Sequence, residues 1–173
     1  MIPRIFMATL LLAAGCTSTA HPPLALAGPV DLPRYMGDWY VIAATPMILD
    51  ADAHNAVESY RLARDGTIAV DYTFRAGAFD GPPRHYSPRG FVRDKASNAV
   101  WGMQFLWPFE SDYRIAYLAD DYSQVVIARE KRDYAWIMAR TPRIPDADYR
   151  RLLERLRAEG YDLGRIRVVP QRH

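Results

Sequence analysis

The chain has 173 residues, half of them apolar and 24% charged, which fits a single globular domain. Its 22 Lys and Arg against 20 Asp and Glu leave a net charge of +2, too near balance for the electrostatic footprint of a nucleic-acid binder. One Cys excludes an intramolecular disulfide framework, a CxxC redox pair and a multi-Cys zinc site. The first element is an apolar run from Ile5 to Ala14, preceded by Arg4 and interrupted only by Thr9. At about ten residues it is too short to cross a hydrocarbon core as a helix and fits the apolar region of a signal peptide. Small residues Ala13, Ala14 and Gly15 lead from it directly into Cys16. Thr17 to Val30 is small, Pro-containing and unpatterned, as a tether would be.

From there on, strands dominate. Trp39 to Ala44 opens the series. Tyr60 and Leu62 then alternate with Ser59 and Arg61, and Ile68, Val70, Tyr72 and Phe74 alternate with Ala69, Asp71, Thr73 and Arg75. A period of two marks a strand with one buried face, and Asp65-Gly66 between the two runs signals a hairpin. Tyr86 to Arg93, Ala99 to Phe105, Tyr113 to Tyr117, Val125 to Arg129 and Ala135 to Arg140 complete about eight strands, mostly joined by short polar turns. That pattern favours an antiparallel meander. Eight such strands can close into a barrel with room for one small ligand, and closure removes the exposed sheet edges. Asp146 to Glu159 differs: Tyr149, Leu152, Leu153 and Leu156 share one helical face. Pro145 with Asp146 and Asp148 at its start and Gly160 at its end suit helix termini. Val168 and Val169 allow a short last strand. The expected fold is all-β: an eight-stranded antiparallel up-and-down barrel with one C-terminal α-helix packed outside.

Three motifs lie along this region. Gly37-Asp38-Trp39-Tyr40 stands at the entry to the first strand, Asp120-Asp121-Tyr122 lies between later strands, and Ala135-Trp136-Ile137-Met138-Ala139-Arg140-Thr141-Pro142 ends the last one. In order and spacing they resemble the three signatures of the lipocalin family: Gly-x-Trp, Thr-Asp-Tyr with Asp here in place of Thr, and a segment centred on Arg. The match runs from about Asp31 to Val169. Phe105-Leu106-Trp107-Pro108-Phe109 and Asp112-Tyr113-Arg114-Ile115 resemble the outer-membrane bacterial branch, relatives of apolipoprotein D. The resemblance implies that Trp39 plugs the closed end of the barrel with Arg140 across its ring. Gly37, Trp39 and Arg140 are then fold residues, not ligand residues.

Ala13-Ala14-Gly15-Cys16 resembles the lipobox of bacterial lipoproteins. That implies a signal peptide over 1–15, cleavage before Cys16, and a lipidated Cys16 with its tether over 16–30, ahead of a domain over 31–173. Thr17 replaces the Asp that retains lipoproteins in the inner membrane of enteric bacteria. The implied location is the outer membrane, lipid-anchored, at its periplasmic face.

The family binds small apolar molecules, and the bacterial branch is associated with fatty acids and lysophospholipids. Matching the family pattern turns Tyr60, Leu62, Trp101, Met103 and Phe105 inward. Alternation alone adds Ile68, Val70, Tyr72 and Phe74, together with Tyr113, Ile115 and Tyr117, and Pro88, Gly90 and Val92 supply small inner positions. Such a lining suits an acyl chain with a mildly polar head. Glu58 shares the face of Tyr60 and Leu62. It either recognises a cationic head group or lies hydrated at a strand end near the mouth, and the second reading is preferred. Leu106, Trp107 and Phe109 are expected in a loop at the open end, against a bilayer, a partner or the cavity itself.

No GxSxG, HExxH, P-loop or Cys–His pair is present, and the His residues are scattered, so neither catalysis nor a metal or other cofactor is expected. Two other readings stay open: a lipocalin-fold enzyme acting on an apolar substrate, and a structural envelope lipoprotein with a filled barrel. The expected partners are a lipid ligand and, through Cys16, a membrane, with a homodimer left open.

Overall fold

The computed structural model describes residues 21–172. The signal peptide and lipidated Cys16 expected from the sequence fall outside the described residues. Asp31 caps a short helix α1 (Leu32–Tyr35), its side chain accepting from the Arg34 amide. The strands follow: β1 (Gly37–Ala44), β2 (Ala53–Leu62), β3 (Ile68–Ala76), β4 (Pro83–Tyr86), β5 (Arg89–Val92), β6 (Val100–Leu106), β7 (Phe109–Leu118), β8 (Gln124–Ala128) and β9 (Ala135–Ala139). The sheet runs β1-β2-β3-β5-β6-β7-β8-β9, and β9 pairs back onto β1 to close the barrel. All the pairings are antiparallel. β4 and β5 both pair with β3, but only β5 continues to β6. They are one barrel strand broken at Ser87-Pro88, where Pro lacks the N–H that a ladder needs. Counted this way, the eight expected barrel positions are all filled.

After the barrel come α2 (Asp146–Ala158), a 3₁₀ turn (Leu163–Arg165) and β10 (Arg167–Val168), which extends the sheet beside β1. α2 lays Leu152 and Leu156 on the outside of the barrel against Ile42, Ala43, Val126, Ala128, Ile137 and Ala139. The inner faces of the same strands point the other way, to Trp39, Val41, Val125, Ile127 and Met138. Being covered on both faces explains why Gln124–Ala128 and Ala135–Ala139 read as nearly continuous apolar runs rather than alternations.

Two residues expected inside are not. Leu62 is the last residue of β2, paired with Ile68 and 48% exposed, because the strand outruns the barrel interior at its closed end. Tyr117 lies beyond a register shift in the β7–β8 ladder. The extra residue reverses the in–out alternation, so Ile115 points into the core and Tyr117 points out toward α2, its ring under the Arg155 guanidinium at 4.1 Å.

Candidate functional site

The barrel has two unlike ends. At the closed end Trp39 is fully buried, and its indole N–H donates to the Tyr35 carbonyl at 2.9 Å. The Tyr35 ring lies 5.1 Å from Trp39, 5.5 Å from Tyr60 and 5.4 Å from Trp101, and Trp101 stacks on Tyr113 at 5.1 Å. The Arg140 guanidinium sits 3.8 Å above the Trp39 ring. It donates to the carbonyls of Arg34, Tyr35 and Met36, which the end of α1 leaves unpaired, and to that of Asp38 in β1. Gly37 is required here: its φ is +96°, and a Cβ would stand 3.3 Å from Arg140 Nη1.

Above this aromatic plug lies a chain of hydroxyls. Tyr60 donates to the Glu58 carboxylate; Tyr60 and Tyr113 are 2.8 Å apart, and Tyr113 and Tyr35 3.0 Å. An ionised carboxylate only accepts. With Glu58 ionised, the donors therefore run one way, from Tyr35 to Tyr113 to Tyr60 to Glu58. Burial pushes all three phenols far above their ordinary range, so they stay neutral donors. Burial also pushes Glu58 up to about 7; the Tyr60 hydrogen bond opposes this and the charge of Asp50 adds to it. Asp50 is itself raised by burial, although it accepts from the Met47 amide at 2.8 Å and the Tyr72 hydroxyl at 3.0 Å.

Toward the open end this chain borders a cavity of about 80 Å³. Of the residues expected inside, Val70, Tyr72, Pro88, Met103, Phe105 and Tyr113 line it, and Glu58 lines it too. The hydrated strand-end reading of Glu58 is overturned. β2 begins at Ala53, so Glu58 stands mid-strand opposite Trp39 and Tyr72, and the surface it keeps opens into the cavity. Phe105 is at the rim, 46% exposed. Tyr60 and Trp101 are inside but belong to the plug, and Phe74 packs behind Tyr72 and stacks on Tyr86.

The sequence reading missed six lining residues: Met47 and Leu49 from the β1–β2 loop, and Ser111, Asp112, Arg129 and Trp136 from strands or their ends. Trp136 was findable, since Trp136 and Met138 alternate with Ala135, Ile137 and Ala139. A loop that folds over a cavity carries no periodic signal. Around the mouth, Ile48, Leu106, Trp107 and Phe109 are exposed, Trp107 by 80%. The described chain also enters at this end. Arg132 donates to the Pro22 carbonyl and the Leu24 amide donates to Glu130, both in the β8–β9 turn, before the segment runs down the barrel to Val30 beside Asn98.

A lipocalin-like domain model matches residues 30–171. The chain belongs to the lipocalin-like family. Temperature-induced lipocalin-1 of Arabidopsis thaliana is 32% identical over 160 residues, covering 82% of this chain and 80% of that protein. Outer membrane lipoprotein Blc of Escherichia coli K12 is 25% identical over 176 residues, covering 99% and 97%. Among solved structures, insecticyanin of the tobacco hornworm Manduca sexta aligns with a TM-score of 0.67 at 13% identity, covering 86% of this chain and 85% of that one. The cockroach allergen Per a 4 aligns at 0.63 and 19%, covering 86% and 92%. These two show the shared barrel. As in the family pattern, Trp39 and Arg140 form the plug of this lipocalin, and the cavity lies beyond them.

Proposed function

We propose that this lipocalin is a lipid-binding lipoprotein of the bacterial outer membrane that stores or carries a fatty acid or lysophospholipid in its barrel, without catalysis. The observation that carries the reading is the cavity between the plug and the mouth, walled by Val70, Tyr72, Met103, Phe105 and Trp136. Apolar walls with a few polar groups suit a single hydrocarbon chain. Ligand pockets usually measure about 300–1,000 Å³, so the cavity as it stands is the closed form. Met47 and Leu49 cover it from the β1–β2 loop, and Phe105 from the rim. Uptake requires these side chains to swing outward.

The outer-membrane location is supported by the Blc relatives, which are named as outer membrane lipoproteins. The entry of the chain at the open end adds a geometric reason. A lipid on Cys16 holds that end, with its fringe of Trp107, Phe109 and Ile48, toward the bilayer surface, where aromatic side chains settle at the interface.

Native mass spectrometry of freshly purified protein, with lipid extraction, tests the binding reading. The expected result is one lipid per chain, and after delipidation a stoichiometric uptake of fatty acid without turnover. A barrel that takes up no ligand, or one that converts it, overturns the reading. For the anchor, Cys16→Ser should lose outer-membrane fractionation; unchanged fractionation overturns it.

A further inference from the structure

The inner end of the cavity is acidic and has no cation to answer it. Glu58 accepts a hydrogen bond from Tyr60 on Oε2, and among the described residues none hydrogen-bonds its Oε1. The charge that acts on it most is a second acid, Asp50. Of the charged residues that also line the cavity, Arg129 is 3.4 Å from Asp133 with its guanidinium over the Tyr134 ring and its Nε without a hydrogen-bond partner, and Asp112 is 3.0 Å from Arg114.

The nearby donors are spent as well. Tyr35, Tyr113 and Tyr60 pass their protons toward Glu58, and the Tyr72 hydroxyl goes to Asp50. A carboxylate or phosphate brought to this end meets the Glu58 carboxylate, with the charge of Asp50 adding to it, and no free hydroxyl donor, a repulsive and poorly solvated position. A positively charged donor meets an accepting oxygen in a cavity that Tyr72 and Tyr113 also line.

We infer that the inner end of the cavity is an ammonium site: Glu58, supported by the hydroxyl chain and by Asp50, receives the protonated amine of a single-chain apolar amine, whose hydrocarbon runs past Met103 toward Phe105 and the mouth. This inference rests on the carrier reading above and specifies which head group the barrel accepts inside. It reverses the simplest expectation for a free fatty acid, whose carboxylate is left at the mouth near Ser111 and Arg129. The position of Glu58 near neutrality agrees with it, because an ammonium partner offsets the cost of ionising a buried carboxyl.

The test uses delipidated protein at pH 7.5 and three twelve-carbon probes below their micelle concentrations: dodecylamine, dodecanol and dodecanoate, titrated by calorimetry. A hydrogen bond between charged groups in a desolvated site corresponds to about tenfold or more in affinity, so dodecylamine should bind at least about tenfold more tightly than either other probe. Glu58→Gln should abolish that preference, so that dodecylamine binds within about twofold of dodecanol on the variant. Dodecanoate binding as tightly as dodecylamine overturns the ammonium site and leaves the carrier reading standing. An amine preference that survives Glu58→Gln in a folded variant also overturns it. If that variant does not fold, the ranking of the three probes on the wild type decides. Failure of all three probes to bind overturns the carrier reading, and this inference with it.

Discussion

The two ends of this barrel use the same residue types for opposite ends. At the closed end Tyr35, Trp39, Tyr60, Trp101 and Tyr113 pack ring against ring, and a single Arg ties the plug to the last carbonyls of α1. At the open end Tyr72, Phe105 and Trp136 wall a cavity, while Trp107 and Phe109 stand in solvent. The difference lies in what covers each ring. The plug is sealed on all sides by protein, so its aromatics stabilise the fold. The open-end aromatics are covered only by a loop or by nothing, so their apolar surface is available to a ligand or a membrane.

The largest test of that contrast is at the plug. Trp39→Ala should cost about 3–5 kcal/mol in urea unfolding. Arg140→Ala should cost less, and the two changes should couple by about 0.5–2 kcal/mol in a double-mutant cycle. Strict additivity would separate the Arg from the plug. Next, Trp101→Arg should leave little folded protein by circular dichroism, since it buries an unpaired guanidinium among rings. Gln104→Arg, on the opposite face of β6 and half-buried, should fold with a loss of about 0.5 kcal/mol or less. Trp101→Arg folding normally would move Trp101 out of the plug.

An intermediate effect belongs to Glu58. Its carboxyl is raised from 4.5 to about 7 in the folded chain, so ionising it opposes folding. That stability is fully present below pH 4.5 and is lost as the pH rises through 7, to a total of about 3 kcal/mol. Glu58→Gln should therefore match the wild type at pH 4.5 and be more stable at pH 8, measured by urea unfolding of ligand-free protein at both. Equal stabilities at both pH values would place Glu58 in water. The smallest effect on the fold is expected at the fringe: Trp107→Ser should change stability by about 0.5 kcal/mol or less yet weaken cosedimentation with phospholipid vesicles. Unchanged cosedimentation would leave the exposed rings without a membrane role.

Much of this architecture was legible in the chain because strands with one buried face alternate. Ile68, Val70, Tyr72 and Phe74 all point inward as their period demands, and the 3.6-residue spacing located α2 to within a residue of its end. Legibility stopped wherever a strand departs from regularity. The register shift at Tyr117 is a backbone event with no signature in residue type, and Leu62 continues a correct alternation past the point where there is an interior to face. Glu58 was misjudged through a boundary: a β2 that starts at Ala53 moves it from a strand end to the middle of the wall. The cavity was half legible for a related reason. Strand residues announce their side, but Met47 and Leu49 reach the cavity only through the tertiary path of a loop.

The break at Ser87-Pro88 gives the barrel a seam. Below it, β5 is bonded on both sides, to β3 and β6; above it, β4 is bonded to β3 alone. The wall is therefore a continuous hydrogen-bonded hoop around the plug and an interrupted one around the cavity. Widening a closed hoop means stretching or breaking ladder bonds, whereas widening one with a gap means only parting side chains along it. A guest larger than the resting void can be accommodated by spreading the upper half at β4 while the lower half keeps its circumference. One proline in the fourth strand thus divides the molecule into a rigid base and a compliant collar.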